Sequence, residues 1–300
     1  MTLTKTAPQP LSVKAPSRSA DTGIKHNRAS KILLYLALAV IILAYIGPAF
    51  WLITSSLKPS EDVYRFPPKW IPTHPEWANY KQAVTAVPFA RFVLNSVIVT
   101  IVGTALVLLN ACLSSYAVTF IKFKFREVFF VFMLGALLLP GDLHLIPNYI
   151  TTADLHWLNS YPGLIIPTSA SVLGTFLLRQ QMRTIPRELI DAARIDQAGH
   201  WTMMTKIVLP LCRPLIVTIV VITAIAEWNR FIWPLIVTSD NTMRVMPIGL
   251  LFLQSEEGTQ NWGAIMAGTL LTALPMVIVF IFGQRQIVEG LTKTTTMGGR

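Results

Sequence analysis

Three stretches of this chain carry no charged side chain over a length that only a lipid environment explains: residues 32–53, 92–121 and 262–283. At about 1.5 Å of rise per residue, some 20 apolar residues in a helix cross a hydrocarbon core of about 30 Å. The first and third are 22 residues each and the second is 30. Less regular apolar segments follow at 128–150, 157–178 and 211–237. Because lipid offers the backbone no hydrogen-bond partners, such segments must be helical. The expected fold is an all-α integral membrane protein, one domain over 31–292, with six transmembrane helices. Composition agrees: 53% of the residues are hydrophobic and 13% charged, with a mean hydropathy of +0.54.

The net charge of +10 would suit a nucleic-acid binder, but its placement argues otherwise. Six basic residues precede the first run, from Lys5 to Lys31. Lys122, Lys124 and Arg126 follow the second, six more lie in 179–213, and Arg285, Lys293 and Arg300 close the chain. Basic residues gathered in alternate loops mark the cytoplasmic side. The reading is a multi-pass protein of the inner membrane with both termini cytoplasmic, a membrane partner in lipid and none in nucleic acid. Residues 1–30, rich in Ser, Thr, Pro and Lys, are expected to be a disordered cytoplasmic arm, and 293–300 a cytoplasmic tail. The first run is too long and charge-free for a cleaved signal peptide. Cys112 and Cys212 form no framework, the five His no metal-ligand spacing, and no phosphate-cradling G-x-x-x-x-G-K-[ST] occurs.

Between the spans, 54–91 is an external linker carrying Pro59, Pro67, Pro68, Pro72 and Pro75, and Trp70, Trp77 and Tyr80 suit the membrane interface. The 92–121 run exceeds one straight span and is read as a short interfacial helix feeding the second transmembrane helix. Pro140, Gly141, Asp142 and His144 interrupt the third segment; Pro162 and Pro167 weaken the fourth. The fifth ends in Glu227, Trp228, Asn229 and Arg230. Glu227 and Arg230, three apart on a helix, can face each other. With Asp142 and His144 they are candidates either for a solute path or for structural pairing near the outer face. Residues 238–261 form an external polar loop.

The one long charged passage of the second half is 184–214. It reads as two short helices with a turn between. Thr184 can cap the first, Pro186 suits its first turn and Glu188 its positive start. Leu189, Ala192, Ala193 and Ile195 are expected on one side. Trp201 to Leu209 make a second amphipathic piece, ended by Pro210. Of the two residues that could carry the turn, Gly199 adopts a left-handed conformation freely and Gln197 at about 1 kcal/mol, so the turn is expected at Gly199. Such a basic knob on a membrane protein is either a docking element or a solvated loop joining two spans.

Asp191, Ala192, Ala193, Asp196 and Ala198, followed at the right distance by Ile207, Leu209 and Pro210, resemble the cytoplasmic signature of the permease subunits of binding-protein-dependent ABC importers. Trp228, Asn229, Phe231, Trp233, Pro234 and Leu235 are similar to a run of the carbohydrate branch, of maltose MalG type. The resemblance covers roughly residues 30–292, with two departures: Asp191 stands for Glu, and Gln197 for Gly. It implies a six-helix permease with a cytoplasmic two-helix coupling loop at 184–214 that docks on an ATPase through Glu188, Asp191, Ala192, Ala193, Asp196, Ala198, Gly199, Ile207, Leu209 and Pro210. It implies a solute pathway near Glu227, Trp228, Asn229 and Trp233. The implied partners are a second, related permease making a heterodimer, two ABC ATPase subunits and an external solute-binding protein. The chain itself is then not an enzyme and binds no cofactor or metal, ATP and Mg belonging to the ATPases. The segment at 257–262, Phe176 to Gln180 and Glu188 to Asp196 look closest to the glycerol-3-phosphate or glycerophosphodiester group, with a di- or oligosaccharide as the other candidate solute. The alternative class is an ion-gradient-driven secondary transporter, for which inverted repeats and midplane ionisable residues are expected and not seen.

Overall fold

The computed structural model describes residues 28–139, 141–255 and 261–296. Most of the expected N-terminal arm, Pro140, residues 256–260 and the last four residues lie outside them, as does the side chain of Asp142. The helices in chain order are α1 (Arg28–Ser55), α2 (Ser60–Val63), α3 (Ala78–Thr85), α4 (Phe89–Phe120), α5 (Arg126–Gly135), α6 (Leu145–Asp154), α7 (Tyr161–Ile165), α8 (Val172–Arg183), α9 (Arg187–Ile195) and α10 (His200–Met203). After them come α11 (Leu209–Leu211), α12 (Arg213–Trp228), α13 (Ile232–Val237), α14 (Met246–Ser255) and α15 (Trp262–Thr296). The described residues contain no strand. Two compact units are present, Met1–Ala49 and Phe50–Arg300. In the first, the described residues are the opening turns of α1; the second holds all the packing considered below.

Among the described residues, three helices are long and apolar enough to cross a membrane: Lys31–Ser55, Phe89–Phe120 and Trp262–Gln284. Two bent pairs raise the number to five, Tyr161–Thr168 with Val172–Arg183 at 47° and His200–Leu211 with Arg213–Trp228 at 81°. The expected third segment is broken into α5, two 3-10 turns and α6. The 92–121 run differs from expectation. It is one continuous helix of 32 residues, and the short helix expected at its start is instead the separate α3 upstream. Nothing in α4 interrupts the backbone ladder, so surplus length becomes helix rather than a bend.

α4 is the hub, packing against α8 and α12, while α12 packs against α15. Its buried side is not more apolar than its exposed side but smaller: Ser96, Gly103, Ala111 and Ser115 face inward, whereas Leu94, Ile101, Leu109 and Leu113 face out. With lipid outside, hydrophobicity gives no preference between the two faces, and close approach of helix backbones decides. The α12–α15 crossing uses the same device, since a Cβ on Gly283 would lie 2.6 Å from Cγ2 of Val221.

The fifth segment is also divided. α12 stops at Trp228 and α13 begins at Ile232. Pro234 cannot donate to the carbonyl of residue 230 and its ring would collide there, so the helix must restart just before it. In the connections after α1 and before α14, two asparagines act as clamps. Asn79 Nδ2 donates to the carbonyls of Ser56 and Lys58, both at 2.9 Å; Asn95 Nδ2 donates to those of Thr242 and Arg244, both at 2.9 Å. Each buried amide thereby satisfies backbone that would otherwise be orphaned.

Candidate functional site

α9 starts without a side-chain cap, on Pro186. Thr184, expected as that cap, instead closes α8, its Oγ1 donating to the Gln181 carbonyl at 2.8 Å. The apolar side of α9 also differs from expectation. Ile190 and Ala193 are buried, while Leu189, Ala192 and Ile195 are exposed. At 3.6 residues per turn Ile195 lies roughly 160° around the helix from Ala193, so the two cannot share a face. Glu188, Asp191 and Asp196 are exposed too, and Asp191 accepts from Arg194 at 3.2 Å.

The turn lies at Gln197, not Gly199. Gln197 has φ 56°, whereas Gly199 is extended with φ −64° and ψ 161°. The Ala198 amide donates to the Ala193 carbonyl at 2.9 Å and the Gln197 amide to that of Arg194 at 3.0 Å. This is a Schellman closure, with the left-handed residue at the position glycine usually fills. Two carbonyls are satisfied and Ala198 packs on the core, which offsets the strain that made Gly199 the expected site. We expect Gln197→Gly to raise stability by about 0.5–1 kcal/mol, strain relief exceeding glycine's extra chain entropy. Gly199→Ala should be near neutral, because nothing lies within 4 Å of its Cβ position. Thermal midpoints of the purified protein decide; a Gln197→Gly midpoint below the parent's would refute the strain.

Pro210 does not end the second piece. The helical path runs through it to Leu211, with a π turn over Met204–Val208, and the break falls at Cys212. A proline there removes the donor to the Lys206 carbonyl, and the widened turn accommodates the loss. Ile207 and Leu209 are half-buried against the core and Pro210 is exposed.

All of this sits on one cluster. Ala111, Cys112 and Tyr116 of α4, Leu178 and Met182 of α8, Ile190 and Ala193 of α9, Met203 of α10, Met204 of the π turn, and Leu215 and Ile219 of α12 pack together. Tyr116 Oη lies 3.1 Å from His200 Nδ1. At its edge Glu127 accepts from Arg179 Nη2 at 2.7 Å and Arg126 Nη2 at 3.1 Å. Desolvation alone would raise the Glu127 carboxyl, but the Arg179 charge and the hydrogen bonds from both arginines outweigh it and hold it below the usual carboxylate range. The outer surface of the loop shows Leu189, Ile195 and Trp201, the last two 81% and 66% exposed. Large apolar side chains turned outward on a charged element suit a protein contact. Trp201 as part of that surface was visible in the sequence only as an amphipathic position.

The second group of candidates lies at the end of α12. Glu227 and Arg230 do pair, through Oε1 and Nη2, with Glu227 buried and Arg230 partly exposed. Glu227 Oε2, Arg230 Nε and the hydroxyls of Thr100 and Thr104 are buried without a partner. Trp228 and Trp233 turn into the chain's own core, their Nε1 atoms donating to the carbonyls of Thr272 at 2.9 Å and Gly163 at 3.1 Å. They pin α12 to α15 and α13 to α7. Asn229 is exposed, its Nδ2 donating to the Ile225 carbonyl at 2.8 Å. His144 is exposed as well. No group of three metal-ligating side chains occurs among the described residues.

Comparison with known proteins places this architecture. Residues 88–292 match the family described as binding-protein-dependent transport system inner membrane component. The sn-glycerol-3-phosphate transport system permease protein UgpE of Agrobacterium fabrum is 35% identical over 269 residues, covering 87% of this chain and 95% of that protein. The UgpE of Yersinia pestis is 33% identical over 275 residues, covering 89% and 98%. A bacterial ABC transporter that imports the acidic polysaccharide alginate shares the fold, with a TM-score of 0.77 at 18% identity over 87% of this chain and 97% of that one. A hydrophobic chain whose described residues hold helices and no strand, matched to these relatives almost end to end, belongs to the family of binding-protein-dependent ABC importer permeases of the inner membrane.

Proposed function

We propose that this chain is one of two related permease subunits in an ABC importer for sn-glycerol-3-phosphate or a glycerophosphodiester, and that it forms half of the pathway. The observation that carries the solute class is the identity of 33–35% with permeases named for sn-glycerol-3-phosphate transport, over nearly the whole chain. Six spans would cross the membrane, the broken 128–150 segment being the third and each bent pair contributing one, with 31–292 as the transmembrane domain. The 184–214 loop would be the coupling element, seated by Ile190, Ala193 and Ala198 and presenting Glu188, Leu189, Asp191, Ala192, Ile195 and Asp196 to an ATPase. Its companion turn carries Gly199, Ile207, Leu209 and Pro210. ATP and Mg would be held by the two ATPase subunits, so closure of those subunits biases one of two packings of the permease pair. An external binding protein would deliver the solute. On this chain Asn229 and the Glu227–Arg230 pair are the candidates to face the path, with Trp228 and Trp233 holding that wall in place.

Reconstituted with its three kinds of partner, the chain should take up labelled sn-glycerol-3-phosphate only when ATP and binding protein are both supplied. Uptake driven by an ion gradient without ATP would favour a secondary transporter and overturn the reading. For topology, we expect cysteines placed at Thr73 and Asn241 to react with an impermeant reagent in intact cells, and one at position 10 to stay unlabelled. Labelling at position 10 would reverse the orientation.

A further inference from the structure

Between the turn after α4, the C-terminal half of α8 and the start of α9 lies a cavity of about 550 Å³. Its wall carries six cations, Lys122, Arg126, Arg179, Arg183, Arg187 and Arg194, against two carboxylates. Both carboxylates are already engaged, Glu127 by Arg126 and Arg179 and Asp191 by Arg194. Lys122, Arg183 and Arg187 have no ion pair among the described residues. Arg179 is 4% exposed, lies against the Phe130 ring at 3.7 Å, and has a buried Nε without a hydrogen-bond partner. A buried guanidinium donor left unsatisfied is unfavourable, and unpaired cations around it make the space suited to an anion with several acceptor oxygens.

We propose that this cavity binds a phosphate ester, supplied by the headgroup of an anionic phospholipid in the cytoplasmic leaflet. A second hollow shares Lys122, Arg126 and Glu127 with the cavity and is otherwise walled by Phe123, Lys124, Phe125 and Val128. Beyond it Phe129 and Phe132 of α5 are 50% and 79% exposed. A polar recess that opens onto exposed aromatic surface fits a molecule with a phosphate at one end and acyl chains at the other. Free phosphate would use the recess and leave the apolar surface bare. Arginine forks match phosphate oxygens in pairs, and basic pockets between helices on the cytoplasmic side are the known form of such recognition.

The test is lipid retention by the full importer complex, extracted from vesicles of phosphatidylcholine alone or mixed with phosphatidylglycerol and read by native mass spectrometry. Lys122→Gln with Arg183→Gln removes two unpaired, exposed cations without touching the core. The parent should keep phosphatidylglycerol in preference to phosphatidylcholine. The double variant, assembled to the same size, should bind it roughly thirtyfold more weakly, each cation near an anionic lipid being worth about a factor of five. Equal retention by parent and variant, or no preference for the anionic lipid, overturns the proposal. So does displacement of the bound lipid by inorganic phosphate at matched concentration, which would make free phosphate the ligand. Because retention is read without solute or ATP, the outcome is independent of what the importer carries.

Discussion

Arg230→Ala should cripple assembly of the permease, Glu227→Gln should do little, and the two together should recover most of the loss. The asymmetry follows from burial. The Glu227 side chain is 2% exposed and that of Arg230 is 29%, so deleting the arginine leaves a carboxylate stranded in the interior, whereas neutralising the glutamate leaves a guanidinium that can reach water. Losing one partner of a buried pair costs about 3–5 kcal/mol, and removing the charge as well restores much of it. The arrangement is made worse for a lone carboxylate by its surroundings, since Oε2 already lacks a partner and α4 presses close at Gly103. The readout is the yield and thermal midpoint of the purified importer for both single variants and the pair. Strict additivity would show that the two charges do not act together.

Ile195→Asp should leave the fold intact and abolish coupled transport, while Ala193→Asp should prevent folding. Two residues apart on α9, they lie on opposite sides. Ile195 is 81% exposed and Ala193 5%, so a charge at the first position meets water in the isolated chain and at the second meets the apolar cluster. If α9 docks on an ATPase, Ile195 is a central apolar contact, and truncating such an anchor commonly costs about 2–4 kcal/mol, roughly 30- to 1,000-fold in affinity. The check is ATP-driven uptake measured beside thermal stability and ATPase co-purification. Normal uptake by Ile195→Asp would remove α9 from the contact.

Much of the architecture was legible in the residues. Length and absence of charge located α1, α4 and α15, and spacing allowed the Glu227–Arg230 pair as one of two readings. What escaped did so for physical reasons. The inward face of α4 could not be read as an apolar stripe, because apolar residues lie all round the helix and the inward face is instead the smaller and more polar one, with Asn95, Ser96, Thr100 and Ser115 buried. The split of α12 from α13 was written in Pro234, whose effect falls four residues upstream of where it stands. The turn at Gln197 went against local preference because Ala198 and two carbonyls decide it together, and neither is a property of one residue. The work of Asn79 and Asn95 as loop clamps depends on carbonyls far away in sequence.

The seating of α9 has a mechanical consequence. A helix wedged by Ile190, Ala193 and Ala198 into the cluster that also holds α4, α8 and α12 has little compliance of its own. A push on its outer surface cannot be absorbed by tilting locally and passes to its neighbours as a displacement of the whole block. The joints that can yield are then the breaks at 169–171 and 229–231, where the helical ladder is interrupted. If α9 is where an ATPase pushes, the stiff input and the yielding breaks are at different places along the chain, and a shift begun at α9 is expected to become rotation beside Asn229.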